Sequence, residues 1–370
     1  MIVLNDFQRQ WEAIGADILK TTEEVGASGW YILGKEVRDF EASLAGYWSA
    51  KHAIGVASGL DALEIALRVL GCKAGDRVVT SPISAFATVM AILRIGAVPV
   101  LVDCDEYGLI DLDACRRYFR KRSEVRYFVP VHLYGHALGS SALKSLRDEF
   151  GLRIVEDCAQ SIGARFRGSP TGKVGQVAAT SFYPTKNLGA LGDGGALFTD
   201  LLEASDHARI LRDYGQTKKY RHEVLGYNSR LDELQAAYLN RVFLPRLDGW
   251  IDRRKQVARR YGEEINNPKI RCSGAPAGSD SSWHLYPILV EAALKLSFMD
   301  YMRQQGVQTG EHYPLALLEQ EALAGSNVES ESGCPKAVSF CRSEVSLPIH
   351  PFLTHDEITA VVHACNSWRP

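Results

Sequence analysis

A single lysine, Lys186, lies in a stretch whose composition suits chemistry at an amine, TSFYPTKNLGALGDGG at 180–195. An apolar run typical of a β-strand, 177–183, overlaps its start, and a cluster of glycines follows the lysine. Glycines let the backbone approach a ligand closely and adopt positive φ. A lysine at the mouth of such a loop can be partly desolvated, which lowers its pKa and frees the amine as a nucleophile. For a lysine considered alone, a surface turn is the commoner explanation.

A carboxylate upstream of the lysine is placed where it could serve the same site. The short apolar run 152–155 ends in Glu156 and Asp157. In open α/β sheets, ligands bind at the carboxyl ends of buried strands. We therefore expect Asp157 to lie beside the site that contains Lys186.

The turn Ser58–Asp61 supplies a third feature, because it separates a strand-like run from a helix-like run. Backbone amides at the start of a helix suit an anion such as a phosphate. Pyridoxal phosphate needs a lysine for its aldehyde, a carboxylate to keep its ring nitrogen protonated and a backbone nest for its phosphate. Lys186, Asp157 and Gly59 match these needs, and the three together are a far stronger signal than any one. The sequence therefore predicts a pyridoxal phosphate site.

The same glycines allow a second interpretation, since Gly189, Gly192 and Gly194 form GxxGxG, which loosely resembles a dinucleotide-binding loop. That fingerprint must follow a strand and open a helix. Here the next residues, 196–199, are typical of a short strand instead. The sequence thus argues against a nicotinamide-dependent sugar reductase.

Composition limits the partners and the compartment. The chain has 370 residues, 46% hydrophobic and 23% charged, and a net charge of -2, which gives no reason to expect nucleic acid or an acidic membrane as a partner. Its eight cysteines form no CxxC pair, and His284, His312 and His350 lack metal-ligand spacing, so we expect no metal site. Each of these histidines, considered alone, is more typical of a packed or surface side chain. No signal peptide or membrane span is predicted, and free thiols favour a reducing cytoplasm.

Short apolar strands alternate with helices from residue 53 to residue 213, which predicts an α/β class with a mostly parallel sheet and helices on both faces. The predicted strands are 53–58, 77–81, 98–103, 125–131, 152–156, 177–183 and 195–199. The predicted helices are 60–70, 85–95, 109–119, 139–150 and 201–213. A long helical pattern, 231–265, is interrupted at Pro245 and leads into a region with strands at 283–290 and 345–349. We expect a large domain, 1–245, and a small α+β domain, 246–370.

Three further features have two explanations each. The polar segment 214–229 predicts a long loop whose Lys218, Lys219 and Arg221 suit a diphosphate, although a solvated basic loop explains the charges as well. Trp30, in an aromatic-rich turn, could line a ligand or partner surface or pack on the main domain. Phe86, just after a predicted strand, could stack on a planar cofactor or pack within a helix.

Nine segments in this order make the chain similar to the DegT family of sugar-nucleotide aminotransferases. They are GWYILGKEVRDFE (29–41), SGLDAL (58–63), GDRVVTSPISAFATVMAI (75–92), VHLYG (131–135), EDCAQSIGA (156–164), SFYPTKNLGALGDGG (181–195), YNSRLDELQAA (227–237), HYP (312–314) and SLPIHP (346–351). The resemblance spans about 29–353, nearly the whole chain. It implies the aspartate aminotransferase fold, fold type I, whose large domain would carry a mostly parallel seven-stranded sheet.

The resemblance also implies roles for individual residues. Lys186 would bond to the cofactor's aldehyde and act as the catalytic proton carrier, and Asp157 would pair with the pyridine nitrogen. The remaining cofactor contacts would come from Gln160 beside the ring hydroxyl, Phe86 stacked on the ring, and Ser58, Gly59, Leu60 and Ser181 around the phosphate.

Asn228 resembles an asparagine that reaches the phosphate of the other subunit, which implies a homodimer with a shared site. Contacts with the sugar nucleotide are expected from Trp30, Tyr183, Lys219, Arg230, His312 and Tyr313. Two departures are visible: Leu60 replaces the family's usual threonine, and the turn 83–85 lacks the commoner TF form. Neither departure removes an essential group.

Some members of the family carry histidine at the lysine position and dehydrate sugars, whereas this chain keeps Lys186. Transamination from L-glutamate to a nucleotide-linked keto-sugar is therefore expected. The KNLGALGDGG form and the stretch 215–232 resemble enzymes acting on 3-keto sugars, which favours dTDP-3-keto-6-deoxyhexose as acceptor and dTDP-3-amino-3,6-dideoxyhexose as product. The alternatives are a 4-keto-6-deoxy sugar, a UDP-linked 3-keto hexosamine and, from another class, a regulatory protein that binds pyridoxal phosphate without turnover.

Overall fold

Strands and helices alternate from residue 52 to residue 212, as the sequence predicts, in a computed structural model that describes all 370 residues. The strands are β1 (His52–Val56), β2 (Arg77–Thr80), β3 (Val98–Leu101), β4 (Tyr127–Val129), β5 (Arg153–Asp157), β6 (Arg165–Phe166), β7 (Ser169–Pro170), β8 (Val177–Ser181), β9 (Gly195–Thr199), β10 (Gln216–Lys218), β11 (Arg221–His222), β12 (Ile270–Cys272), β13 (Ser279–Asp280), β14 (Tyr286–Val290), β15 (Glu329–Ser330) and β16 (Glu344–Leu347). The α-helices are α1 (Phe7–Ser28), α2 (Lys35–Trp48), α3 (Gly59–Val69), α4 (Phe86–Arg94), α5 (Leu112–Lys121), α6 (Ser140–Phe150), α7 (Leu202–Arg212), α8 (Glu233–Tyr238), α9 (Leu247–Glu264), α10 (Lys295–Gln304), α11 (Pro335–Ser343) and α12 (His355–Ser367).

The main sheet has the strand order β1-β9-β8-β5-β4-β2-β3-β15. All pairs from β8 to β15 are parallel, and β9 runs antiparallel to both of its neighbours. All seven predicted strands are present, which confirms the α/β class. The eighth strand, β15, was not predicted, because a strand of two residues is too short to show a pattern in the sequence.

Successive residues of the central strands enter different hydrophobic cores. Val79 and Ile154 belong to the core on one face of the sheet, whereas Val78 and Val155 belong to the core on the other. Side chains alternate between faces along a strand, so both faces of this sheet are covered by helices. Burial on both faces explains why the strands are continuous apolar runs in the sequence.

The order of β5 and β8 positions the candidate site. The two strands are parallel neighbours, and Asp157 pairs in register with Ala179. Their carboxyl ends therefore meet at one edge of the sheet, where β8 ends at Ser181 and the loop with Lys186 begins. This is the edge at which open α/β sheets bind ligands.

A long helical run links the large sheet to the C-terminal part of the chain. It comprises α8, a wider turn at 239–243, a tight turn at 244–246 and α9. Pro245 lies in the tight turn, as the interrupted pattern predicts, because proline lacks the amide hydrogen that a regular helix needs. The segment 214–229 differs from its prediction, since it contains the small hairpin β10–β11.

The C-terminal part has its own antiparallel sheet, β12-β14-β16, and its own core. Within that core, Tyr261 of α9, Phe298 of α10 and Trp368, which follows α12, are fully buried. Leu317 and Phe340, by contrast, pack into a core of the large sheet. Division into domains 1–245 and 246–370 remains a proposal, and the region containing Leu317, β15 and α11 is shared between the two parts.

No helix has the length and the apolar character needed to cross a membrane. No group of three or more histidine, cysteine, aspartate or glutamate side chains could hold a metal ion.

Candidate active site

Lys186 lies in the loop after β8, and its side chain lines a cavity of about 470 Å³. The surrounding protein lowers the pKa of the amine to about 8 by burial, and Asp157 partly opposes this shift. No protein group hydrogen-bonds to the amine, so it is free to react. A Cβ at Gly189 would lie 2.3 Å from the carbonyl oxygen of Pro184, which explains a glycine where this loop turns tightly.

Asp157 ends β5 inside the same cavity and is almost fully buried. Its Oδ2 accepts a hydrogen bond of 2.9 Å from the Thr88 hydroxyl, and its Oδ1 accepts one of 3.1 Å from the amide of Ala159. Burial raises the pKa of the carboxyl, while these hydrogen bonds and Lys186 oppose the rise. No cationic side chain forms an ion pair with this carboxyl group, so the site has room for a cation such as a protonated pyridine nitrogen.

The start of α3 forms the third wall. Ser58 is the N-cap, and its Oγ accepts a hydrogen bond of 3.1 Å from the amide of Asp61. The amides of Gly59 and Leu60 begin the helix and have no partner within it. A Cβ at Gly59 would lie 2.6 Å from the Cβ of Ser181, so only glycine lets α3 approach the end of β8 this closely.

Gln160 joins the sheet edge to the C-terminal part. Its Oε1 accepts a hydrogen bond of 2.7 Å from the amide of Tyr134, and its Nε2 donates one of 3.2 Å to the Tyr313 hydroxyl. Ten of the fifteen predicted site residues line this one cavity. They are Ser58, Gly59, Leu60, Asp157, Gln160, Ser181, Tyr183, Lys186, His312 and Tyr313.

These residues fit pyridoxal phosphate. A free amine, a buried carboxyl without a cation and a helix start whose first two amides have no partner within the helix surround one cavity, which matches an aldehyde, a ring nitrogen and a phosphate. The close approach of Gly59 to Ser181 leaves the amides of α3 facing this space.

The other five predicted residues lie outside the cavity lining. Phe86 is half-buried and packs on a core of the large sheet, while its neighbours Ala85, Ala87 and Thr88 line the cavity. Stacking of Phe86 on the cofactor ring therefore stays a prediction, since the side chain is not part of the cavity lining.

The remaining four lie near the protein surface. Trp30 is 62% exposed between α1 and α2. Lys219 is exposed at the tip of the β10–β11 hairpin. Arg230 donates hydrogen bonds of 2.9 Å to Asp213 and 2.6 Å to Asn228, so both predicted residues belong to one surface cluster.

Thr88, His284 and Asn5 are among the cavity residues that were not predicted from the sequence. Thr88 orients Asp157 through a hydrogen bond. The feature of the sequence that could have indicated this role is the pair of hydroxyl residues Ser84 and Thr88, four positions apart. His284 lines the cavity as a neutral ring, because burial and nearby Lys186 lower its pKa well below the usual value. Asn5 reaches the cavity from the N-terminal segment, which is tied to the C-terminal part by a bridge between Ile2 and Val307.

Comparison with known proteins bears on this geometry. Residues 12–366 match the DegT/DnrJ/EryC1/StrS aminotransferase family. A dTDP-3-amino-3,4,6-trideoxy-alpha-D-glucose transaminase from Streptomyces venezuelae is 40% identical over 98% of this chain and 95% of its own length. A dTDP-3-amino-3,6-dideoxy-alpha-D-galactopyranose transaminase from Aneurinibacillus thermoaerophilus is 39% identical over 95% of each chain.

The crystal structure of S. venezuelae DesV in complex with a ketimine intermediate superposes on the chain with a TM-score of 0.93. It is 39% identical and covers 100% of this chain and 98% of its own. The predicted fold type I is thereby confirmed. On its fold and its family match, the chain belongs to the DegT/DnrJ/EryC1/StrS aminotransferase family and is an aminotransferase.

Proposed function

We propose that the protein is a pyridoxal phosphate-dependent aminotransferase that moves an amino group from L-glutamate to a nucleotide-linked keto-sugar. The observation that carries this proposal is the single cavity in which Lys186, Asp157 and the start of α3 converge. The family is pyridoxal phosphate-dependent, which supports the cofactor. The eight unpaired cysteines are consistent with the reducing cytoplasm expected from the sequence.

The roles of the residues follow from their environments. When bound, pyridoxal phosphate supplies an electron-accepting ring. Asp157 would keep the ring nitrogen protonated, and Thr88 fixes the orientation of this carboxyl group. Lys186, with a pKa of about 8, takes the proton from the donor's Cα and returns it later as a general acid, because its pKa lies close to physiological pH. Ser58, Gly59, Leu60 and Ser181 hold the phosphate.

We propose dTDP-3-keto-6-deoxyhexose as the acceptor and dTDP-3-amino-3,6-dideoxyhexose as the product. Two relatives, each about two-fifths identical over nearly the whole chain, are named for dTDP-linked sugars that carry the amino group at carbon 3. His312, Tyr313 and Tyr183 line the same cavity as Lys186 and are suited to contact the sugar. Acceptance of a 4-keto sugar or a UDP-linked 3-keto hexosamine instead would use the same catalytic groups.

We also propose that two copies of the chain share each site. Around the predicted residues Trp30 and Lys219 the surface carries large apolar side chains, including Tyr220 at 83% and Leu225 at 87% exposure. Such patches mark interaction surfaces. Asn228 and Arg230 are joined by a hydrogen bond outside their own chain's cavity, where they could reach the cavity of a second copy.

The test is turnover with matched acceptors. The purified enzyme would be given L-glutamate and dTDP-3-keto-6-deoxyglucose, dTDP-4-keto-6-deoxyglucose or UDP-3-keto-N-acetylglucosamine, and 2-oxoglutarate and the sugar product would be measured. The proposal predicts that the dTDP-3-keto sugar gives the highest kcat/KM and that Lys186→Ala gives no product. Preference for either other sugar would correct the acceptor, and no turnover with any of them would favour a cofactor-binding regulatory protein.

A further inference from the structure

A buried carboxyl group lies behind His312, outside the cavity. Glu344, the first residue of β16, is fully buried, and its Oε2 accepts a hydrogen bond of 2.7 Å from the amide of His312. Its Oε1 accepts one of 2.5 Å from the hydroxyl of Ser346, which is also fully buried. Ser346 Oγ in turn lies 2.9 Å from His312 Nδ1. A continuous chain of hydrogen bonds therefore runs from Glu344 to the imidazole ring.

The other ring nitrogen, Nε2, has no protein hydrogen-bond partner, and the ring lines the cavity beside Lys186. Burial lowers the pKa of His312 to about 4, and the charge of Lys186 adds to this shift. At neutral pH the ring is thus uncharged, and one of its two nitrogens carries a hydrogen. Which nitrogen does so decides whether Nε2 can donate or accept a hydrogen bond.

The charged and titratable groups around Glu344 come from several elements. Lys295 of α10 lies nearby, but its amine bonds to Glu311 at 2.6 Å and to the carbonyl of Cys341 at 2.8 Å, and not to Glu344. Other groups that act on this carboxyl or respond to its charge are Glu311, Tyr134, Tyr313, Cys341 and the amide of His312. Burial raises the pKa of Glu344 to about 7, with opposing effects from its hydrogen bonds and Lys295.

Hydrogen-bond direction along this chain is fixed by the state of Glu344. An ionised carboxylate only accepts, so the Ser346 hydroxyl donates to it, and Ser346 Oγ is left to accept from His312 Nδ1–H. Nε2 then carries a lone pair. If Glu344 is protonated, its Oε2 still accepts from the His312 amide, so the proton lies on Oε1 and is donated to Ser346. Ser346 then donates to Nδ1, and Nε2 carries the hydrogen.

We propose that Glu344 and Ser346 are positioning residues that set which nitrogen of His312 carries the proton, and hence whether Nε2 accepts or donates a hydrogen bond in the substrate cavity. An accepting Nε2 suits a sugar hydroxyl, and a donating Nε2 suits a carbonyl oxygen. One proton is taken up in total: Nε2 gains a proton from the cavity, the Nδ1 proton passes to Ser346, and the Ser346 hydroxyl proton passes to Glu344, so the ring stays uncharged. The sugar group that would bind to Nε2 rests on the proposed function, whereas the position of the proton on the His312 ring does not.

The test is the nitrogen-15 spectrum of the histidine rings in protein labelled at histidine, recorded from about pH 5.5 to about pH 8.5, a range chosen around the Glu344 titration. The His312 signals are assigned by their loss in His312→Gln. We expect the Nδ1–H form at the upper end and the Nε2–H form at the lower end, with a midpoint at a pH of about 7.

Two variants distinguish a role of Glu344 and Ser346 in setting the His312 proton from a purely structural role. Glu344→Gln must keep an oxygen towards the His312 amide, so its NH₂ donates to Ser346 and locks the Nε2–H form at every pH. Ser346→Ala interrupts the hydrogen bonds between Glu344 and His312 and should remove the change from the Nδ1–H form to the Nε2–H form. Ser205→Ala, at a buried serine of α7, should leave the transition unchanged. A His312 ring that keeps one form across the range in the wild type, or a transition that persists in Ser346→Ala, would overturn the proposal.

Kinetic measurements distinguish failure of this proposal from failure of the proposed function. KM for the keto-sugar should depend on pH near neutrality in the wild type and lose that dependence in Glu344→Gln. A KM with the same pH profile in both proteins would contradict the role of Nε2 towards substrate. If no keto-sugar is used at all, the proposed function fails, and the ring spectra still decide the tautomer.

Discussion

The Thr88 hydroxyl donates a 2.9 Å hydrogen bond to Oδ2 of Asp157, although the two residues are far apart in sequence. Since Thr88 donates to Asp157, the 2.7 Å contact between Ser84 and Thr88 must have Ser84 as the donor. The start of α4 thereby holds the carboxyl group at the end of β5 in one orientation. A carboxyl group fixed in this way can face a ring nitrogen without having to rearrange when the cofactor binds.

Replacing Thr88 should weaken cofactor binding without unfolding the protein. Thr88→Val keeps the volume but removes a donor to a charged group, which typically contributes about 1.5–3 kcal/mol. We therefore expect the Kd for pyridoxal phosphate to rise roughly tenfold or more, since about 1.4 kcal/mol corresponds to a factor of ten. Absorbance titration measures it. Thr199→Val, at a buried threonine of β9 away from the cavity, is the control, and equal effects in both variants would contradict the assigned role.

Gly59 should tolerate no side chain. A Cβ there would meet the Cβ of Ser181 at 2.6 Å, so Gly59→Ala must push α3 away from β8. We expect destabilisation of about 1–3 kcal/mol in urea unfolding together with weaker phosphate binding. The matched control is Gly46→Ala in α2, where an added Cβ meets no atom within 4 Å. That variant should gain roughly 0.5–1 kcal/mol from helix propensity, and destabilisation equal to that of Gly59→Ala would rule out the steric explanation.

Lys186 should lower the free energy of unfolding of the cofactor-free protein. Its pKa is lowered to about 8 from the ordinary value of 10.5, so the folded state binds this proton less well than the unfolded state. Above the pKa of this lysine in the unfolded protein, the amine is neutral in both states and does not destabilise the fold. The destabilisation grows as the pH falls from that pKa to the pKa in the folded protein, and it is constant at lower pH. We expect cofactor-free Lys186→Met to be more stable than wild type at pH 7, by on the order of 2–3 kcal/mol.

This difference should shrink as the pH rises above 8. Urea unfolding at a series of pH values measures it, and Lys20→Met, at an exposed lysine of α1, should show no such trend. A Lys186→Met variant that is equally stable or less stable at pH 7 would contradict a desolvated amine.

Mixing inactive variants tests the shared site. If Asn228 serves the cavity of the other copy, a dimer of Lys186→Ala and Asn228→Ala subunits has one intact site. Co-refolding equal amounts should restore about a quarter of wild-type activity, because half of the symmetric dimers are mixed and each has one working site of two. Lys186→Ala mixed with Asp157→Ala should stay inactive, since both residues belong to one chain's cavity. Absence of rescue in the first mixture, with Asn228→Ala itself inactive, would show that Asn228 acts within its own chain.

Much of the site was predictable because its main groups carry local signals. Lys186, Asp157 and Gly59 each stand at a strand end or a helix start, and topology brings such positions to one edge of a parallel sheet. Thr88 and His284 carry no comparable signal, since their importance depends on the elements they pack against. Glu344 resembles any strand residue in the sequence, and only the structure shows that it is buried behind His312.

The predicted residues that lie outside the cavity lining show what the sequence does not reveal. Trp30, Lys219, Asn228 and Arg230 lie outside the lining of their own chain's cavity. Phe86 lies beside cavity residues but faces a hydrophobic core. A sequence pattern identifies such positions without showing which subunit, or which side of a helix, they serve.

We propose that Lys186 and Asp157 hold pyridoxal phosphate and that L-glutamate donates the amino group. The visible absorbance spectrum of the purified protein with pyridoxal phosphate, recorded before and after addition of L-glutamate, is the first test of both proposals. We predict a yellow protein that glutamate bleaches, and a Lys186→Ala variant that lacks this response. A wild-type protein that stays colourless with added pyridoxal phosphate would show that Lys186 does not bind the cofactor, and a colour that glutamate leaves unchanged would show that glutamate is not the donor.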